Sequence, residues 1–137
     1  MDAKKIKVLI VDDSNIIVER LSAIIAELDC VSSVLISNTF SEAVDLLNAE
    51  IPDVVLLDIQ LPDKNGIELL AFVKSSHPAI KTIIVTNRAS DYYKNLCEEM
   101  GADSFIDKST EFEKIPEIIE TLCCTNNSET NIPSYLN

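Results

Sequence analysis

Short, unbroken apolar runs alternate along this chain with stretches of helical periodicity, and that alternation limits the folds open to it more than any other feature. The runs are Lys7 to Val11, Val31 to Ile36, Asp53 to Asp58, Lys81 to Thr86 and Asp103 to Ile106. After the first, Ile17, Leu21, Ile24, Ile25 and Leu28 fall on one face of a helix. Thr39-Phe40-Ser41-Glu42 has the form of a capping box opening a helix to about Ala49, and Pro52 limits its continuation. Gly66 reads as part of the loop after the third run. Helical period resumes with Ile67, Leu70, Ala71 and Val73 and stops before Pro78. Ser90 is placed to cap a helix over Asp91 to Met100, with Gly101 where a left-handed terminus belongs. A last helix carries Ile115, Ile118, Ile119 and Leu122, with Pro116 in its first turn.

The order is therefore strand then helix, five times over. Runs that are continuously apolar, rather than alternating, predict strands covered by helices on both faces. Right-handed crossovers then give an α/β fold, an open parallel (βα)5 sheet, with the strand order 2-1-3-4-5 expected. At 137 residues the chain has room for one ordinary domain. We place it at residues 1–124, with 125–137 (TNNSETNIPSYLN) as a polar tail pinned by Ile132, Tyr135 and Leu136. No output domain is expected.

Charge narrows the partners. Eleven Lys and Arg stand against 23 Asp and Glu, for a net charge of −12. Nucleic acid and anionic membrane both require a basic footprint, so neither is expected as a partner. A partner with a basic patch, or a site that takes a cation, fits better. No apolar run approaches the roughly 18 residues of a membrane span, and no signal peptide is evident. Four cysteines (Cys30, Cys97, Cys123, Cys124) without a CxxC pair, and a single His, argue against zinc and for thiols in a reducing cytoplasm. His77, before Pro78, is expected to be an ordinary helix-end residue. With only 2 Gly there is no glycine-rich phosphate loop.

Ligands of open parallel sheets bind at the carboxyl ends of the strands. Here the first run ends in Asp12-Asp13, the third in Asp58 and the fourth in Thr86, with Lys108 just past the fifth. In the expected order these residues converge on one edge. Packed carboxylates repel one another, and a hard divalent cation such as Mg²⁺ removes the conflict. Lys108 supplies a fixed positive charge and Thr86 a hydroxyl, both suited to the oxygens of a phosphoryl group in transfer. Asp58, alone at the end of the central strand, is the better nucleophile, and Asp12 and Asp13 are better placed for the metal.

The chain resembles the receiver domain of two-component response regulators, a flavodoxin-like fold, from about Lys5 to Cys123. The resemblance rests on Asp12-Asp13, on LLDIQLPDKNG carrying Asp58 and Gly66, on IIVTN carrying Thr86, and on GADSFIDK carrying Lys108. It implies a phosphorylation-dependent signalling switch rather than an enzyme with a substrate of its own. Asp58 would accept a phosphoryl group from a histidine kinase or histidine phosphotransfer protein. Asp13, Asp58 and the Gln60 backbone carbonyl would ligate Mg²⁺, with Asp12 acting through water. Lys108 and Thr86 would bind the phosphoryl group, and Phe105 would be the switch aromatic. The signal would leave by docking to a downstream protein or by phosphorelay. Tyr92 and Tyr93 are expected at the surface or in partner contacts.

The sequence departs from the family pattern in three places, one of them a pair of residues. Asn87 stands where the family usually has a small residue, and the resemblance implies that its larger amide would narrow access to the phosphoryl group. Gln60 and Arg88 occupy positions that tune phosphoryl lifetime. Ser109 replaces a proline whose peptide bond is usually cis; to Ser that isomer costs about 3–4 kcal/mol, and the sequence leaves both isomers open. Rival chemistries fit less well. A dehalogenase-type phosphohydrolase needs an acid at position 60, and a flavodoxin needs a phosphate loop where Asp12 and Asp13 would repel the ligand. The remaining alternative is a receiver-like docking module that is not phosphorylated.

Overall fold

The computed structural model of the chain describes residues 5–122. The expected domain boundary at 124, the tail contacts and Cys123 and Cys124 lie outside the described residues. The elements in order are β1 (Ile6–Val11), α1 (Asn15–Ala26), β2 (Val31–Ser37), α2 (Phe40–Glu50), β3 (Val54–Leu57), α3 (Gly66–Ser76), β4 (Lys81–Thr86), α4 (Asp91–Glu99) and β5 (Ser104–Asp107). A 3₁₀ turn at Phe112–Lys114 leads into a last helix, α5, at 115–122. The five strands are parallel and ordered β2-β1-β3-β4-β5, as the sequence predicts.

Alternate residues of each central strand feed two cores. Val8, Ile10, Leu56 and Ile83 pack on one face with Leu21 and Ile25 of α1 and Ile115 and Ile119 of α5. Leu9, Val11, Leu57 and Ile84 pack on the other with Leu47 of α2, Leu70 of α3 and Cys97 of α4. Two helices thus cover one face and three the other. This double covering explains why β1, β3 and β4 read as continuous apolar runs. Burial also pushes the Cys97 thiol up to about 11, so it stays protonated among the apolar side chains.

The expectation of burial on both faces fails for β2. This strand sits at the sheet edge, and Ser32, Ser33 and Ile36 are exposed. Its pairing with β1 slips between Ile6 and Lys7, and the Ser32 hydroxyl donates to the Ile6 carbonyl across the irregularity at 3.0 Å. β5, the other edge, is only partly buried.

The helix starts are set by side chains, Thr39 and Ser90 as the sequence predicts and Ser14 in addition. Ser14, Thr39 and Ser90 each accept a hydrogen bond from a backbone N–H of the turn that follows. In the Thr39 box, the Glu42 carboxylate accepts from the Asn38 N–H rather than that of Thr39. Gly66 differs from expectation: it is the first residue of α3, capped by Asn65, whose side chain accepts from Ile67 N–H at 2.8 Å. Gly101 has φ of 100°, the left-handed terminus expected after α4. The 3₁₀ turn starts without a side-chain cap, and Glu111 before it accepts from the Asp107 N–H at 3.0 Å. His77 ends α3 with its ring against Phe72 and its Nε2 2.9 Å from Asn48 Oδ1.

Candidate functional site

The sheet register carries the chemistry to one edge. Val11 pairs with Leu57, so Asp12 and Asp58 leave β1 and β3 side by side, and the Asp58 N–H donates to the Val11 carbonyl at 3.1 Å. Thr86 ends β4 opposite Asp107 of β5, and its carbonyl accepts from the Lys108 N–H at 3.0 Å. Asp12, Asp58, Thr86 and Lys108 are therefore each delivered by the last residue of a strand or the first beyond it.

Asp12 is 2% exposed and Asp58 5%, while Asp13 beside them faces solvent. Carboxylate oxygens of Asp12, Asp13 and Asp58 lie within 4.8 Å of one another. The Lys108 ammonium reaches into the cluster, 2.6 Å from Asp12 Oδ2 and 2.9 Å from Asp58 Oδ2, with its side chain 6% exposed. The other oxygens are oriented by the backbone: Asp12 Oδ1 accepts from Ser14 N–H at 2.9 Å, and Asp58 Oδ1 from Gln60 N–H at 3.2 Å. Burial, working against the bond to Lys108, holds the Asp12 carboxyl above the usual carboxylate range. Burial by itself would lower the Lys108 ammonium, but its hydrogen bonds to Asp12 and Asp58 outweigh this and raise it. The two partners differ because Lys108 shares its charge between two acids, whereas Asp12 receives only part of that charge and loses its water. A donor set of carboxylate oxygens, two buried and one open to solvent, suits a hard divalent cation that keeps part of its hydration.

The remaining candidates surround this cluster. Thr86 is fully buried, and its hydroxyl oxygen accepts from the Arg88 N–H at 3.1 Å while its proton remains to donate. With its amide oxygen turned toward Arg88, Gln60 accepts from Nε at 2.9 Å and from a terminal nitrogen at 3.1 Å. This pair spans from the loop after β3 to the loop after β4, and both residues line a cleft of about 280 Å³. Asn87 is exposed and borders a neighbouring cleft of about 480 Å³ with Arg88 and Tyr93. Phe105 is half-buried and packs against the core that includes Ile84 and Cys97. Tyr92 is 70% exposed with its ring edge-on to Tyr93, as expected for a surface residue. The Lys108–Ser109 peptide is trans, and Ser109 donates both its N–H (2.9 Å) and its hydroxyl (2.7 Å) to Asp107 Oδ1. Those bonds, which a proline could not make, draw the Asp107 carboxyl below its usual range.

Two contributors were not legible in advance. A Cβ on Gly66 would overlap the Asp58 carbonyl oxygen and stand 2.8 Å from Ile59 Cα. The glycine therefore lets the start of α3 close onto the Asp58 backbone, and its N–H donates to the Ile59 carbonyl at 2.6 Å. The Asn-Gly pair in the sequence was the available signal, but it reads equally as a loop turn. Asn38 steadies the acidic turn by donating from Nδ2 to the Asp12 carbonyl at 2.9 Å. Nothing in the local sequence marks that contact, which links residues 26 positions apart.

With this geometry in view, a family model described as the response regulator receiver domain matches residues 8–120. The sensory transduction protein LytT of Enterococcus faecalis is 34% identical over 82% of this chain and 46% of its own length. Response regulator GacA of Pseudomonas syringae pv. syringae is 28% identical over 83% of this chain and 53% of its own. The chain thus spans about half the length of these curated relatives, or less in others. Among solved structures, a CheY-like response regulator receiver domain protein from Methanospirillum hungatei superposes with a TM-score of 0.82 at 30% identity, covering 92% of this chain and 98% of that one. The BeF3-activated N-terminal receiver domain of Klebsiella pneumoniae RstA gives 0.77 at 26% identity, over 85% and 97% of the two chains. The chain belongs to the response regulator receiver domain family.

Proposed function

We propose that this domain is a phosphorylation switch of a two-component system in which Asp58 accepts the phosphoryl group. The observation that carries the reading is the contact of three buried side chains, Asp12, Asp58 and Lys108, at the carboxyl edge of the sheet. An Asp58 carboxylate oxygen forms the new P–O bond as the P–N bond of a phosphohistidine donor breaks. Asp58 Oδ1 is held by Gln60 N–H, which fixes the carboxylate plane before the donor arrives. Lys108 stands beside the reacting carboxylate and stabilises charge on the phosphoryl oxygens. Thr86 donates its hydroxyl proton to one of those oxygens.

Asp13, Asp58 and the Gln60 carbonyl would hold Mg²⁺, with Asp12 acting through water. Bound there, Mg²⁺ supplies the positive charge that offsets the clustered acids and the incoming phosphoryl group. Arg88 and Gln60, joined across the cleft, and Asn87 at its rim govern how water reaches the phosphoryl group and so how long it persists. Inward movement of Thr86 is read by Phe105, which biases the surface of α4, β5 and α5 between two states. The donor is a histidine kinase or phosphotransfer protein. The net charge of −12 favours a downstream protein with a basic surface over nucleic acid. No described helix is long and apolar enough to cross a membrane, and the reading carries a cytoplasmic location with it.

Incubation with acetyl phosphate, read by intact mass, tests the proposal. One phosphoryl group is expected to add only with Mg²⁺ present, and Asp58→Asn is expected to abolish the gain while its circular dichroism stays native. Labelling that persists in Asp58→Asn would move the acceptor to another residue.

A further inference from the structure

The loop that links Asp58 to α3 is closed tightly at its base and exposed at its tip. Gln60 bridges to Asn65, and Gly66 N–H bonds Ile59, so residues 60 and 65 are fixed to one another. Pro62, Asp63 and Lys64 between them are exposed. The tip is nevertheless fastened to a separate element. Asp63 Oδ1 accepts from Phe40 N–H at 2.8 Å and Oδ2 from Ser41 N–H at 3.2 Å, so both oxygens hold the first two N–H groups of α2. The Lys64 ammonium stands 4.9 Å from the centre of the Phe40 ring at the same junction. The α2 start already has its own cap in Thr39, which takes Glu42 N–H at 3.2 Å. Asp63 therefore adds a tie across more than 20 residues of chain to a helix end whose third donor is met locally. Those N–H groups hold its carboxyl below the usual range, so the tie persists through mild acidity.

We infer that Asp63 is a positioning residue for the acidic site: by clamping the loop tip to the start of α2, it holds the Gln60 backbone where it serves Asp58 and the cation. The inference rests on the phosphoacceptor reading above. Gln60 is the point of transmission. Its N–H orients Asp58 Oδ1, and its carbonyl belongs to the donor set of that reading. A loop freed at its tip keeps the base contacts but samples more positions at residue 60, and a cation that needs near-ideal geometry is sensitive to that spread.

Calorimetric titration with Mg²⁺ and amide hydrogen exchange test the clamp in the full chain. Asp63→Ala is expected to weaken Mg²⁺ binding about 10-fold and to speed exchange of the Gln60 amide. Asp63→Asn, which retains one acceptor oxygen, is expected to fall between. Thr39→Ala is the control: it weakens the same helix end and lowers Tm, yet leaves Mg²⁺ affinity unchanged. Unchanged Mg²⁺ binding in Asp63→Ala overturns the inference. So does an equal loss in Thr39→Ala, which would reduce Asp63 to a helix cap. Absence of Mg²⁺ binding by the unaltered protein would instead overturn the phosphoacceptor reading itself.

Discussion

Gly66 shows how a single missing atom can hold a site together. Its backbone passes so close to Asp58 that any Cβ would occupy the space of the Asp58 carbonyl oxygen. That carbonyl belongs to the first residue past β3, a central strand of the sheet. Gly66→Ala must displace either the start of α3 or the backbone of Asp58. We expect a loss of about 3 kcal/mol, the upper part of the range for overpacking. Urea denaturation with an unchanged slope and a lowered midpoint would show it. Phosphorylation by acetyl phosphate should fall as well, because the displaced backbone carries the proposed acceptor. A variant with unaltered stability would mean that the helix start yields without strain. The sequence revealed Asp58 more readily than Gly66 because the acid ends an apolar run, whereas the glycine's reason lies eight residues away across a loop.

Among the elements, β4 contains a residue whose chemistry its surroundings do not use. Thr82 is fully buried, and its hydroxyl has no hydrogen-bond partner among the described residues. Its backbone is well placed, with the N–H donating to Asp103 Oδ2 at 2.8 Å. Only the side-chain oxygen is stranded. Thr82→Val keeps the branched shape and removes a desolvated polar atom, so it should raise stability by about 1 kcal/mol. A denaturant midpoint at or below the unaltered protein's would reveal an unseen partner for the hydroxyl. Elements of this kind were largely legible. The runs that became β1, β3 and β4 are apolar without a break because helices cover both their faces, and Thr39 and Ser90 mark helix starts by a local mechanism. β2 was misjudged although the expected order already put it at an edge, where Ser32, Ser33 and Ile36 are left exposed. The Asp63 clamp was invisible because its partners are backbone N–H groups, which carry no signature of residue type.

At the scale of the whole molecule, the acidic site opposes the fold that builds it. The chain carries a net charge of −12, and it gathers three carboxylates within 4.8 Å at one edge of the sheet. Burial raises the Asp12 carboxyl even with Lys108 2.6 Å away. An acid raised on folding binds protons more tightly in the native state than in the unfolded one. Its effect on stability is therefore absent below the unfolded value near 3.8. It grows unfavourable as pH rises from the unfolded value toward the higher folded one, and is complete above that. Asp12→Asn removes the ionisation, so without Mg²⁺ it should melt at a higher temperature than the unaltered protein at pH 7. That advantage should shrink as pH falls toward the unfolded value. Mg²⁺ should reverse the ranking. A cation bound to the native state at 100 times its Kd stabilises by about 2.7 kcal/mol, and the Asn variant binds it more weakly and gains less. Thermal melts at two pH values, each with and without Mg²⁺, give all four comparisons. If Asp12→Asn melted lower at pH 7 without Mg²⁺, the ion pair with Lys108 would outweigh burial, and the site would be neutralised from within. If instead it melts higher, the folded domain holds a conflict among its acids that a bound cation relieves, which couples the stability of the sheet edge to the presence of the ion.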